Sequence, residues 1–152
     1  MEPYQDYAEL LQTFNTGRVR YLMVGAWAVS HYSQPRYTKD MDIWVEPTPG
    51  NADKVFRCLF SFGASMEDVT PNDFSVKGTA FQVGVEPVRI DIITDVAGLR
   101  FTTAWRRRKR IKFGPAWANI VGLDDLVRAK RASGRPQDKL DVDQLLSSRG
   151  TP

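Results

Sequence analysis

"RYTKDMDIWV", Arg36 to Val45, places Asp40 and Asp42 on one face of a run that otherwise reads as a buried strand. Side chains alternate across a strand, so Asp40, Asp42 and Trp44 point one way and Met41, Ile43 and Val45 the other. The apolar trio is the expected core face, and the acids stand opposite it, with Asp40 at the strand entrance. The same rule applied to "VRIDIIT", Val88 to Thr94, turns Ile90 and Ile92 inward and Asp91 outward with Arg89 and Ile93. If the two strands share a sheet, three carboxylates meet on one side. Like charges this close repel, and such a cluster persists best when a cation neutralises it. Hard oxygen ligands around an open site suit Mg²⁺ or Mn²⁺ rather than zinc. An acid-x-acid pair at a strand end is common, so the case rests on its surroundings.

Upstream, "VGAWAV" reads as a strand running into Gly25 and then a helix. That junction leaves backbone N–H groups and the positive helix end free to receive a phosphate. Gly25 alone is weak evidence, because glycine suits any tight strand-to-helix turn. Its order in the chain strengthens it. A phosphate cradle, an acid pair on the next strand and a third acid on a later strand form the arrangement that in-line nucleotidyl transfer needs.

Outward from this block the hydrophobic period switches several times, as in a mixed α and β protein. Tyr4, Tyr7, Leu11 and Phe14 recur at helical spacing up to "NTG" at 15 to 17, and "RYLMVG" is a short strand. "AWAVSHYS" reads as a helix halted by Pro35, and "PGNADKVFRCLFSFG" as a helix with Val55, Leu59 and Phe62 on one stripe. "MEDVTPNDFSVKG" is irregular and polar. "AFQVGVEP" and "VRIDIITD" read as neighbouring strands joined by a tight turn at Glu86-Pro87. A helix is expected around "GLRFTTAWRRRK", a strand at "RIKFG" or "ANIVG", and two final helices, "LDDLVRAKRAS" and "PQDKLDVDQLLSS", split by Gly134.

Composition sets the bounds. The 152 residues fit one domain, 1–152, with its core at about 19–146. A net charge of +3 is too mild to argue for general polyanion binding. A single cysteine, Cys58, excludes an internal disulfide framework and a cysteine-built zinc site. No signal-peptide pattern opens the chain and no apolar run reaches the length of a membrane span, so a soluble cytoplasmic protein with no membrane partner is expected.

"VGAWAVSHYSQPRYTKDMDIWV" resembles the signature of the nucleotidyltransferase-fold superfamily, the DNA polymerase beta-like group: a small-residue turn opening a helix, an Asp-x-Asp strand, then a distal Asp. More narrowly, "PRYTKDMD" followed by "LDDLVRAKRASGRPQDKLDVDQL" resembles the minimal and AbiEii-type nucleotidyltransferase-like proteins, often found in bacterial toxin–antitoxin or phage-defence loci. The resemblance covers Tyr21 to about Leu146. It implies an α+β fold with a mixed β-sheet, helices on one face and a metal-binding cleft on the other. It also implies transfer of a nucleoside monophosphate from a nucleoside triphosphate to a hydroxyl-type acceptor such as RNA or protein, with Mg²⁺ or Mn²⁺ as cofactor. Asp40, Asp42 and Asp91 would be metal ligands, with Asp91 bridging metal or acting as base, and Gly25 would approach the triphosphate. Where active relatives have Gly-Ser or Gly-Gly, this chain has Gly25-Ala26, which supplies no hydroxyl for a phosphate oxygen. An alternative therefore stands beside the enzyme: a non-catalytic nucleotide- or partner-binding module, such as the antitoxin or scaffold half of a two-protein system.

Arg36 and Lys39 would meet a phosphate or the acceptor, or else screen the acids, and Thr38 would order the turn. Lys130 falls on the apolar stripe of Leu123, Leu126 and Val127, so it needs a partner. The triphosphate is one, and Asp138 or Asp141 across the Gly134 turn is another. "WRRRKRIK", Trp105 to Lys112, holds six of the 21 basic residues. Arg106, Arg107, Arg108, Lys109 and Arg110 there read either as a nucleic-acid contact or as a solvated helix end. His31 and Cys58 read as structural.

Overall fold

The computed structural model describes residues 3–34, 40–84 and 88–149. The chain runs α1 (Pro3–Thr16), β1 (Tyr21–Val24), α2 (Gly25–Tyr32), β2 (Asp40–Val45), α3 (Pro49–Phe62), a 3₁₀ turn (Pro71–Ser75), β3 (Ala80–Val83), β4 (Arg89–Ile93), α4 (Phe101–Arg106), β5 (Lys109–Phe113), β6 (Ala116–Ile120), α5 (Leu123–Ser133) and α6 (Pro136–Arg149). The strands form one mixed sheet in the order β3-β4-β2-β1-β6-β5. β2 pairs parallel with β4 and β1 parallel with β6, while β1–β2, β3–β4 and β5–β6 are antiparallel.

The period-2 pattern decides what each face does. Met41, Ile43 and Val45 are fully buried, and register places Tyr21, Met23, Ile90 and Ile92 on their side. α1 covers that face with Tyr7, Leu10, Leu11 and Phe14, the last packed on Tyr21, and α3 lies beside it, with the Cys58 thiol 3.5 Å from the Thr13 carbonyl. The opposite, acid-bearing face is only partly covered. Phe101 of α4 meets Trp44 edge-on, and α5 stands above the β1 end, leaving a cleft between them.

Local signals explain the ends of α3. Thr48 caps it, accepting from the Asn51 N–H, Pro49 starts it, and Gly63 stops it in the left-handed region. The buried Asn51 reaches back to the sheet: Oδ1 accepts from the Arg20 N–H at 2.8 Å, and Nδ2 donates to the Arg20 and Glu46 carbonyls at 3.0 Å each. That side chain ties the start of β1 to the end of β2.

Three sequence expectations change. The helix around "GLRFTTAWRRRK" is only Phe101–Arg106, and both "RIKFG" and "ANIVG" are strands, paired as a hairpin. The basic run is therefore not one helix end: it crosses from α4 into an edge strand, because Ile111 and Phe113 bury at strand spacing. Phe113 packs against Tyr7 and Trp27, and that burial outweighs the helix preference of arginine and lysine. The polar stretch after α3 holds the 3₁₀ turn, which buries Phe74. The β3–β4 pairing is as expected, while the Glu86-Pro87 turn lies outside the described residues.

Candidate active site

Gly25 follows β1 and opens α2 beside Asp42, since Val24 is the register partner of that acid. Its φ of 69° lies in the left-handed region, and a Cβ there would overlap Asp42 Oδ2. Only glycine meets both demands. The close packing of Asp42 is thus a sufficient reason for the residue, independent of any phosphate. Ala26 follows in the first turn of α2, half-buried, and Val24 gives that helix no side-chain cap.

Across the parallel β2–β4 pair, Asp42 stands directly opposite Asp91, and Asp40 opposite Arg89. Neighbouring strands lie about 4.8 Å apart, so the three carboxylates share one small area. Arg89 bridges two of them, with Nε 3.3 Å from Asp91 Oδ1 and Nη1 4.0 Å from Asp40 Oδ2. One arginine does not offset three acids. Burial, then the charges of Asp91 and Asp40, push the Asp42 carboxyl up to about 6, although Lys130 and Arg89 pull it down. Asp40 Oδ1 is buried with no hydrogen-bond partner among the described residues.

Of these acids Asp42 faces a cavity of 190 Å³ whose lining includes Val24, Gly25, Ile93, Lys130 and Asp138. Lys130 sits at its rim, held 3.3 Å from Asp138 Oδ1 and 3.2 Å from Asp141 Oδ2. Of its two expected partners, the acids across the Gly134 turn are the ones it has. Arg135 adds a 2.8 Å bond from Nε to Asp138 Oδ2, and that bond holds Asp138 well below the usual carboxylate range. A larger hollow of 790 Å³ lies between α1 and α3, lined by Glu9, Lys54 and Arg57 among others, on the other side of the sheet from the acids.

An all-oxygen donor set with a buried unpartnered oxygen and carboxylates short of positive charge fits a hard divalent cation. Among the described residues, no three acidic, histidine or cysteine side chains yet close on a single point, and Arg89 lies between two of the acids.

Arg36, Thr38 and Lys39 lie outside the described residues. The basic run is not in this cleft: β5 is three strands from β2. Arg107 pairs with the buried Asp125 at 3.0 Å, Arg108 stacks on Trp105 at 3.7 Å, Arg106 ends α4, and Lys109 and Arg110 begin β5. His31 is exposed on α2 and packs edge-on against Tyr32, while Cys58 is buried. Two participants were missed as site residues. Arg89 was signalled by its same-face spacing to Asp91, and Arg135 by its place three residues before Asp138.

No protein-family model and no curated protein sequence matches the chain. Solved structures do. Lincosamide antibiotic adenylyltransferase LnuA, with lincomycin bound, aligns over 95% of this chain and 96% of its own at 14% identity and a TM-score of 0.61. A Thermotoga maritima protein assigned as a nucleotidyltransferase aligns over 95% of this chain and 92% of its own, at 12% identity and a TM-score of 0.63. An antigenic nucleotidyltransferase-like protein from Paracoccidioides brasiliensis aligns over 97% of this chain and 75% of its own, at 16% identity and a TM-score of 0.58. The chain has the nucleotidyltransferase fold.

Proposed function

We propose that this chain is a metal-dependent nucleotidyltransferase that moves a nucleoside monophosphate from a nucleoside triphosphate to a hydroxyl acceptor, releasing pyrophosphate. The observation that carries it is the pairing of Asp42 with Asp91 beneath the Gly25 turn, with Asp42 pushed up to about 6. A carboxylate pair so poorly neutralised gains most from an added cation.

Asp40, Asp42 and Asp91 would hold Mg²⁺ or Mn²⁺. The bound metal supplies neutralisation of phosphate charge and a lowered acceptor pKa. The backbone N–H groups opening α2 at Gly25 and Ala26 receive phosphate oxygens. Lys130 faces the same charge from the cleft rim. Arg36, Thr38 and Lys39 belong to the same proposal as nucleotide contacts. The acceptor oxygen attacks the α-phosphorus, its proton passes to Asp91, and the bond to the pyrophosphate leaving group breaks. Arg89 must release Asp40 and Asp91 for this, and a triphosphate gives its guanidinium another anion to bind. A toxin–antitoxin or phage-defence setting with a cognate partner protein is part of this reading, and it rests on the "PRYTKDMD" resemblance.

A second reading is a non-catalytic module on the same fold. It is favoured by Ala26, which lacks a hydroxyl, and by the hold of Arg89 on two acids.

Calorimetric titration with ATP, GTP, CTP and UTP in Mg²⁺ or Mn²⁺ separates the two, on the wild type and on Asp40→Ala/Asp42→Ala. The expected result is metal-dependent binding of a triphosphate that the double variant loses. Binding of none of the four sinks the autonomous enzyme. Binding that needs no metal and survives in the variant favours the module.

A further inference from the structure

The acid-bearing side of the sheet also carries a basic and aromatic surface that the proposed chemistry leaves unused. On β6, Ala116, Ala118 and Ile120 are buried while Trp117 is 45% exposed. The register of Met23 with Ile120 puts the buried residues on the α1 side, so Trp117 and Asn119 stand on the side of Asp42 and Asp91. Lys112 pairs with Trp117 across the hairpin and Arg110 with Asn119, which brings both cations to the same side. The Lys112 ammonium lies 4.8 Å and the Arg110 guanidinium 5.2 Å from the indole centroid. α4 adds a second such unit: Trp105 with Arg108 at 3.7 Å and Arg20 at 5.5 Å.

Charge and shape together select the partner. Among the described residues no carboxylate pairs with Arg106, Arg108, Lys109, Arg110 or Lys112, so the positive charge faces solvent. Clustered cations track a phosphate backbone, and an exposed indole on a sheet stacks an unpaired base, a combination that suits a single strand rather than a duplex. The Asn119 amide between them offers a donor and an acceptor to a ribose 2′-hydroxyl, which DNA lacks. Two strand spacings across and four residues along separate Trp117 from Asp42 by about 16 Å, within reach of a short single strand.

We propose that the Arg110, Lys112, Trp117 and Asn119 surface binds single-stranded RNA and that the end of that strand is the nucleotidyl acceptor. The binding stands alone, whereas the acceptor role rests on the nucleotidyl-transfer reading. Fluorescence anisotropy with a labelled 16-nucleotide RNA of mixed sequence tests the binding, for the wild type, Trp117→Ala, Trp117→Phe, Arg110→Glu/Lys112→Glu and Asp40→Ala/Asp42→Ala. Trp117→Ala is expected to weaken binding about tenfold and Trp117→Phe to restore most of it. The charge reversal abolishes binding, and the aspartate variant retains it. The wild-type affinity falls with salt at a logarithmic slope of about −3, as roughly four neutralised phosphates require. Equal RNA affinity in the wild type and the charge-reversal variant overturns the proposal, as does tighter binding of the matching DNA, an acidic peptide or anionic vesicles. RNA binding without transfer of a labelled nucleotide to it, in a protein that calorimetry shows to bind the triphosphate, removes the acceptor role alone.

Discussion

Two groups of carboxylates each send one member into the same cleft, Asp42 from the sheet and Asp138 from α6, and they differ in how their charge is met. Asp40, Asp42 and Asp91 share Arg89, which approaches Asp91 to 3.3 Å and Asp40 only to 4.0 Å. Asp138 and Asp141 are the more deeply buried, yet Lys130 sits between them at 3.3 and 3.2 Å, Arg135 binds Asp138, and Gln137 donates to Asp141 at 2.9 Å. The sheet acids are only half-buried and the α5–α6 acids fully so, yet it is a sheet acid whose pKa rises, so burial alone does not decide the outcome. In the first it pushes Asp42 up to about 6, whereas in the second Asp138 is held well below the usual range. The α5–α6 group is electrostatically complete and braces the helices; the sheet group is left short of positive charge, which is what the proposed cation would supply.

The largest effect expected from breaking this contrast is on the braced side. Asp138→Ala leaves Lys130 with one acid and strands Arg135, and should cost about 3 kcal/mol, a fall in Tm of roughly 9 °C by calorimetry. Asp42→Asn should do the reverse, stabilising the fold by about 2 kcal/mol at pH 7 while removing metal-dependent nucleotide binding. The sign follows from a raised folded-state pKa. Below about pH 4 Asp42 is protonated folded or unfolded, and the variant gains nothing; its advantage grows as pH rises to about 6 and is constant above. Mn²⁺ titrations should show the same group from the other side, with affinity rising roughly tenfold between pH 5 and pH 7 as Asp42 loses its proton. The smallest effect is that of Arg89→Ala. Removing a half-exposed ion pair should cost under about 1 kcal/mol of stability, yet raise cation affinity several-fold because Asp40 and Asp91 are freed. A variant that loses both stability and cation affinity would show that Arg89 organises the acids rather than substituting for the metal.

Much of this contrast was legible in the sequence. Period-2 alternation put Asp40, Asp42 and Asp91 on one face, and the helical stripe of α5 singled out Lys130 with the correct acids as partners. The register that sets Asp42 against Asp91 was not legible, because strand order depends on contacts far apart in the chain. Arg89 could be placed on the acid face, but not between two carboxylates, since its long side chain has several rotamers. The basic run misled for a related reason. Its residues suit a helix, and only the burial of Ile111 and Phe113 turns it into an edge strand. Trp117 then shares a face with Arg110 and Lys112, a neighbourhood that the hairpin creates and residue spacing does not reveal.

The Asn51 side chain that ties β1 to β2 has a consequence for how the molecule assembles. The Arg20 amide donates to that side chain at 2.8 Å rather than to a neighbouring strand. Its protection from hydrogen exchange therefore reports the docking of α3, not the integrity of the sheet. If α3 detaches before the sheet opens, Arg20 should exchange with the α3 amides and faster than Met23 and Ile43 in the centre. The loop closed by this contact, 31 residues long, encloses Gly25, Asp40 and Asp42, so the amide would time the moment at which the acid-bearing strand is locked in place.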